Sequence, residues 1–253
     1  MDDQHARRAR SFGAIATSYA QHRPDYPDQA VAWALESLSN GATVVDLAAG
    51  TGKLTEAILR CGIPAAAVLA VEPDAGMRAE LSRRLPEITV RSGSAEQIPT
   101  EDGAVDAVLV GQAFHWFEPD RALAEIARVV RPGGVLAVLG NTEDDTVDWV
   151  VELNERALAA RPVGSVGGGF AEIPEHPAFG RQQQCRFRWR WPRTIESLLA
   201  TVSTHSWFLV SEPADRAAAL AAIRRSLEQH SATRSGTFEL PMRTLVLRTT
   251  RRA

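Results

Sequence analysis

The chain predicts a doubly wound α/β fold, on three observations. Apolar runs of strand length alternate with amphipathic runs of helix length over residues 28–140. The first strand-like run empties into a turn of small residues, Ala48, Ala49, Gly50, Thr51 and Gly52, that opens onto a helical pattern. A carboxylate, Glu72, closes the second apolar run. Strand–helix–strand units of this length cross over right-handed and build a parallel sheet, with ligands held outside the carboxyl ends of its strands.

Taken in order, residues 4–20 and 28–38 read as helices, the second following Pro27 with Asp28 as its cap. Strands are expected at 43–48, 67–72, 88–92, 105–110 and 135–140, with helices in the gaps. Over residues 119–130, Leu123, Ile126, Ala127 and Val130 form one apolar stripe that should pack on the sheet, and Arg131, Pro132, Gly133 and Gly134 stop the helix. A helix over 146–160 leads into residues 161–180, where PVGSVGGGF and two further prolines read as an exposed loop or lid. The run RFRWRW alternates, placing Phe187, Trp189 and Trp191 on one face of a strand and Arg186, Arg188 and Arg190 on the other. A solvated or ion-paired outer face accounts for these arginines better than a nucleic-acid surface. Helices over 195–204 and 212–230, the latter opened by Pro213, and a strand over 237–248 bring the strands to seven.

Bulk properties exclude more than they assign. At 253 residues and 45% hydrophobic content, one α/β domain over 1–253 is expected. A net charge of −3 and a pI of 6.1 give no global reason to seek nucleic acid or an anionic membrane. Cys61 and Cys185 lie far apart, with no CxxC and no Cys/His cluster, so neither a disulfide scaffold nor a metal site is expected, and a reducing cytoplasm fits. No run approaches the ~18 apolar residues of a membrane span, and the N-terminus lacks the apolar core of a secretory signal.

The turn carries the chemistry. Glycine tolerates positive φ and has no Cβ to hold a ligand away, and the helix start beyond it presents unpaired N–H groups. Glu72 stands where a carboxylate can accept both hydroxyls of a ribose. Both NAD and S-adenosylmethionine fit such a cradle. The dinucleotide fingerprint GxGxxG needs three glycines, whereas this chain offers Ala48, Gly50 and Gly52, with Thr55 where the next small residue is sought. That favours the methyl donor.

The cradle occurs together with YAQHRPDYP at 19–27, GSAEQIP at 93–99, VDAVLVGQAFHWF at 105–117 and LAEIARVVRPGGVLAV at 123–138. In that order these segments resemble a class I methyltransferase of the small-molecule type that includes the trans-aconitate methyltransferase-like proteins, over residues 12–140. The resemblance implies a Rossmann-like, mostly parallel sheet with an antiparallel final strand, a helical lid over 1–40, a cofactor-binding core over 41–140 and acceptor-side elements over 141–253. It implies S-adenosylmethionine as cofactor, S-adenosylhomocysteine as product, and no metal. Asp46 would orient the turn and the ammonium of the methionine portion. Ala48 replaces the usual first glycine, which a negative φ would tolerate. Ala49, Gly50 and Gly52 would offer backbone, Glu72 would hold the ribose, and Pro73 and Met77 would wall the adenosine. Ser94, Ala95 and Glu96 would meet the adenine, although a helix start would look the same. Gln112 would lie between cofactor and acceptor, and Arg23 would clamp a carboxylate. His115 or Tyr19 would take a proton where the acceptor carries one. His115, Trp116, His205 and Trp207 would line the acceptor pocket, or simply pack. The expected reaction is in-line methyl transfer to a small molecule, with a carboxylate or hydroxyl oxygen favoured, in a monomer or homodimer. A catalytically silent cofactor-binding protein and a NAD-dependent oxidoreductase are the alternatives.

Overall fold

The computed structural model describes residues 16–39, 41–159 and 172–253. The expected helix at 4–20 is thus described only from Ala16, and most of the expected loop at 161–180 lies outside the described residues. The elements are α1 (Ala16–His22), α2 (Asp28–Leu35), β1 (Val44–Leu47), α3 (Lys53–Arg60), β2 (Val68–Val71), α4 (Ala75–Arg84), β3 (Thr89–Arg91), β4 (Val105–Gly111), α5 (Pro119–Val129) and β5 (Val130–Glu143). They are followed by α6 (Asp148–Ala159), β6 (Gln183–Thr194), α7 (Ile195–Ser203), α8 (Ser206–Leu209), α9 (Pro213–Gln229) and β7 (Thr237–Thr250).

Among the described residues the strands form one sheet in the order β3-β2-β1-β4-β5-β7-β6. The pairs β1/β2, β1/β4, β2/β3 and β4/β5 are parallel, with Leu47 opposite both Val71 and Val110. The strand order reverses between β1 and β4. β7 runs antiparallel to β5, as its bonds require: Gly133 donates to Arg251, while Asp144, later in β5's direction, donates to the earlier Pro241.

The described chain divides into two compact units, with boundaries inside β5, β6 and β7. The larger comprises Asp25–Asn141, Gly169–Phe187 and Thr244–Ala253. Here the β-strand period sorts the core. Val44, Ala70, Ala107, Leu109 and Ala137 meet α2, α3 and α4 on one face, through Val31, Ala57, Ile58 and Leu81. Val45, Leu47, Val71, Val108, Val110 and Leu136 meet α5 on the other, through Ala122, Leu123 and Ile126. Burial on both faces explains why these strands read as continuous apolar runs. The smaller unit comprises Met1–Pro24, Thr142–Gly168 and Arg188–Arg243, with a core of its own from α6, α7, α8, α9 and the first half of β7. Trp189 and Trp191 pack against that core while Arg186, Arg188 and Arg190 are exposed, with Arg188 paired to Asp144 at 3.0 Å.

Two local expectations change. The cap of α2 is Pro27, not Asp28, which sits in the first helical turn and binds Arg60 at 2.8 Å. The helix stops before Arg131 as expected, but the strand begins at Val130 instead of 135, irregularly: Val130 pairs with Val105 and Val135 with Ala107, so extra residues bulge out. Gly134 lets this bulge close, since a Cβ there would lie 2.6 Å from the Asp106 carbonyl.

Candidate active site

β1 delivers the chain into the turn at the switch point. Ala48, Gly50 and Gly52 adopt φ of 56, 57 and 88°. The negative φ that would excuse Ala48 is therefore not adopted, and its methyl sits in a left-handed conformation costing roughly 1–2 kcal/mol. A Cβ on Gly50 would meet nothing within 4 Å, so this glycine leaves its backbone open to a ligand. A Cβ on Gly52 would lie 3.1 Å from both Leu81 and Leu85, so helix α4 packs directly on the turn. Arg84, at the end of α4, donates to the Thr51 carbonyl at 2.7 Å and pairs with Glu56 at 2.5 Å.

Two buried carboxylates flank the turn. Asp46, 1% exposed, accepts the Thr55 hydroxyl at 2.5 Å. Burial first and the nearby Glu72 charge second push its carboxyl up to about 7, against the Thr55 hydrogen bond. Glu72 accepts the N–H of Gly50 and of Asp74, each at 2.9 Å. Burial raises its pKa above the ordinary carboxylate value despite those two bonds. Its carboxylate thereby ties the end of β2 to the turn after β1, and both oxygens retain lone pairs for ligand hydroxyls. Asp74 caps α4 by accepting from Met77 N–H at 2.9 Å. Met77 is buried and Pro73 exposed.

The segment 94–97 is a tight turn closed by paired Ser94 and Gln97 backbone bonds of 3.2 Å, not a helix start. Ala95 is buried, and Glu96 spends one oxygen on the N–H of Glu118, the residue that precedes α5, at 3.1 Å. Gln112, two residues past Val110, has φ 57° and donates from Nε2 to the Asn141 carbonyl at 2.7 Å. His115 and Trp116, half-buried, follow on a 3-10 turn with their rings 4.8 Å apart. Thus Asp46, Ala48, Ala49, Gly50, Gly52, Glu72, Pro73, Met77, Ser94, Ala95, Glu96, Gln112, His115 and Trp116 all belong to the larger unit.

Tyr19, Arg23, His205 and Trp207 belong to the smaller one. There Arg23 lies over the Tyr19 ring at 5.0 Å and donates to the Thr204 carbonyl at 3.1 Å. His205 precedes α8, and Trp207 is buried against Phe208 at 5.6 Å. Beside the expected residues stand others that the sequence reading did not assign to the site: Tyr26, Arg84 and Asn141. The signal for Asn141 was a polar residue closing an apolar strand on the ligand side of the sheet.

Comparison with known proteins matches this geometry. A model described as a methyltransferase domain matches residues 45–138. An uncharacterized methyltransferase of Mycobacterium tuberculosis is 37% identical over 241 residues, covering 95% of each chain. An uncharacterized methyltransferase-like protein of Schizosaccharomyces pombe is 32% identical over 78% of each chain. A solved structure described as a type II methyltransferase from Anaeromyxobacter dehalogenans superposes with a TM-score of 0.67 at 25% identity, over 90% of this chain and 97% of that one. With its seven-stranded sheet, its turn at the switch point and these relatives, the chain belongs to the class I S-adenosylmethionine-dependent methyltransferases.

Proposed function

We propose that the protein transfers a methyl group to an oxygen of a small molecule, a carboxylate or a hydroxyl. The observation that carries the cofactor half of this reading is the open turn at Gly50 between Asp46 and Glu72. Bound S-adenosylmethionine supplies an activated methyl group on a sulfonium. Glu72 would hold the ribose hydroxyls and Asp46 the cationic amino-acid end, to which its charge is suited once the proton has left. Met77 and Pro73 would wall the adenosine, and Ser94, Ala95 and the second Glu96 oxygen would meet its base. The chain's main task is then to hold the nucleophile about 3 Å from the methyl carbon in line with the breaking bond, with water excluded.

Two residues support an oxygen acceptor. Among the described residues Arg23 has no carboxylate counter-ion, and its Nε is buried without a hydrogen-bond partner, a donor suited to an anionic ligand. His115, on the turn that follows β4, would take the proton of a hydroxyl acceptor; an ionised carboxylate needs no such base. Trp116, beside His115 on the same turn, would wall the acceptor. The test is calorimetry with S-adenosylmethionine, S-adenosylhomocysteine and NAD, followed by turnover against panels of acids, phenols, alcohols and amines. Binding of the first two and methyl ester or ether formation is expected. Binding of NAD alone would establish an oxidoreductase, and cofactor binding without turnover on any panel a silent relative.

A further inference from the structure

Helix α5 holds the segment that follows β3 at two points. Just before its first turn, the Glu118 N–H donates to Glu96 Oε1 at 3.1 Å. Nearer its end, Glu125 and Arg128 lie one turn apart and act as a single clamp. Glu125 Oε1 accepts the Ile98 N–H at 2.8 Å, and Arg128 donates to the Ile98 and Thr100 carbonyls at 3.0 and 2.9 Å. The clamp is fixed internally by a two-pronged bond, Arg128 Nε to Glu125 Oε2 at 2.8 Å and Nη2 to Oε1 at 2.7 Å, and Nη1 also reaches Asp102 at 2.7 Å. From β3, Arg91 donates to the Pro99 carbonyl at 2.8 Å, so the consecutive carbonyls of Ile98, Pro99 and Thr100 are all held by guanidinium groups.

What these bonds fix is the turn from Ser94 to Gln97. The chain enters it from Arg91, whose carbonyl accepts the Glu72 N–H at 3.1 Å. A Cβ on Gly93 would lie 2.7 Å from Pro99 and 2.9 Å from Val71, so the two ends of the segment close on each other against the end of β2. Ala95 and Ile98 share one buried cluster at 3% and 2% exposure. The strand itself gives little anchorage, because β3 has three residues, Thr89–Arg91, and lies at the edge of the sheet. A site on a loop is only as precise as the groups that support it, and here that support comes from α5.

We propose that Arg128 and Glu125 are positioning residues for the adenine of the cofactor: by fixing the Ser94–Gln97 turn they set where its backbone and the second Glu96 oxygen meet the exocyclic amine, and so determine the preference for adenine over an oxopurine. This rests on the placement of the base proposed above and adds to it two side chains whose bonds go to protein groups.

The test compares S-adenosylhomocysteine with S-inosylhomocysteine, which carries a carbonyl oxygen in place of the amine and is otherwise the same purine ligand. Both are titrated calorimetrically into the wild type, Arg128→Met, Arg128→Lys, Glu125→Gln and Arg83→Met, with melting temperatures recorded alongside. Arg83 makes the same two-pronged bond to Glu80 on α4, at 3.0 and 2.8 Å, and serves as the control for loss of a helical ion pair. The wild type should prefer S-adenosylhomocysteine by about tenfold or more, since a carboxylate accepts from an amine and repels a carbonyl oxygen. Arg128→Met should lower affinity for S-adenosylhomocysteine about tenfold and leave S-inosylhomocysteine within about twofold, whereas Arg83→Met should keep the wild-type preference. Arg128→Lys, which retains the charge without the fork, should recover part of it. Glu125→Gln leaves an oxygen for the Ile98 N–H but breaks the charged pair, so it should shrink the preference about threefold, and it decides alone should Arg128→Met fail to fold. A preference unchanged in Arg128→Met, equal losses for both ligands, or the same shrinkage in Arg83→Met would overturn the proposal. A wild type that binds both ligands alike would overturn the placement of the base at this turn, and the proposal with it; one that binds neither would overturn the cofactor reading.

Discussion

Glu72 is engaged before any ligand arrives, since its two oxygens hold the N–H groups of Gly50 and Asp74 at 2.9 Å. A carboxylate so fixed costs little further ordering when it meets a ribose. Glu72→Ala should therefore weaken cofactor binding by about 1–3 kcal/mol, the loss expected for unpairing a charged hydrogen bond, and calorimetry giving an unchanged affinity would remove Glu72 from the site. Ala48 poses the opposite question, because its methyl group is a burden at φ 56°. Ala48→Gly relieves left-handed strain of roughly 1–2 kcal/mol and returns roughly 0.5–1 kcal/mol through the looser unfolded chain. A net gain of up to about 1.5 kcal/mol, read as a higher denaturant midpoint, is expected without loss of cofactor affinity; a lower midpoint would mean that the alanine methyl makes packing contacts worth more than the strain.

At the scale of elements, the approach of the 25–27 segment to β4 is the least forgiving contact near the site. A Cβ on Gly111 would lie 2.6 Å from the Tyr26 hydroxyl and 3.2 Å from Leu54, and Tyr26 is buried, so the ring cannot swing clear. Gly111→Ala should cost about 1–3 kcal/mol by overpacking and raise hydrogen exchange at residues 25–30, whereas Gly133→Ala, with open space at its Cβ but φ 81°, should cost only backbone strain. Exchange unchanged at 25–30 would mean that Tyr26 has somewhere to go. This contact also marks the limit of what the sequence conveys. Periodicity located β1, β2 and β4, because burial on both faces leaves an apolar run, and it located Asp46, Glu72 and the turn, because these lie at the ends of such runs. β5 reads short, 135–140 against Val130–Glu143, since Pro132, Gly133 and Gly134 are local breakers and the bonds that extend the strand join Gly133 and Gly134 to the distant Arg251. The bond between Asn141 and Asp25, across a sequence separation of 116, leaves no local pattern, although Asn141 itself closes an apolar run. Nor does any spacing reveal that Ser94 to Gln97 closes on itself, since a cap and a tight turn use the same residues.

For the whole molecule, the buried carboxylates set how stability varies with pH. Burial pushes the Asp106 carboxyl up, but the Thr43 N–H and hydroxyl and the Arg131 guanidinium outweigh it and hold the group below the usual range. The Arg128 hydrogen bond does the same for Glu125, and Thr146, Arg188 and Arg243 outweigh burial at Asp144. These groups contribute stability above their unfolded values, and it is lost as pH falls through their lowered folded values. Asp46 works the other way. Its pKa rises from 3.8 to about 7 on folding, so its contribution is intact below 3.8 and lost as pH climbs through about 7; Glu72, also raised, adds to that loss. The protein without cofactor should accordingly be most stable in mildly acid solution and weaken toward pH 8, with Asp46 contributing a loss of about 1.4 kcal/mol per pH unit between 3.8 and about 7. Asp46→Asn keeps an acceptor for Thr55 and removes the titration, so it should flatten that limb and be the more stable protein at pH 8. Cofactor binding should show the reverse dependence, because the deprotonated Asp46 that destabilises the empty site is the form that attracts an ammonium. Affinity for S-adenosylhomocysteine should then rise from pH 6 to pH 8 in the wild type and stay level in Asp46→Asn. Denaturation and calorimetry across that range check both limbs on the same pair of proteins. A wild-type affinity independent of pH, with the stability limb intact, would mean that Asp46 is buried and protonatable but receives no cation.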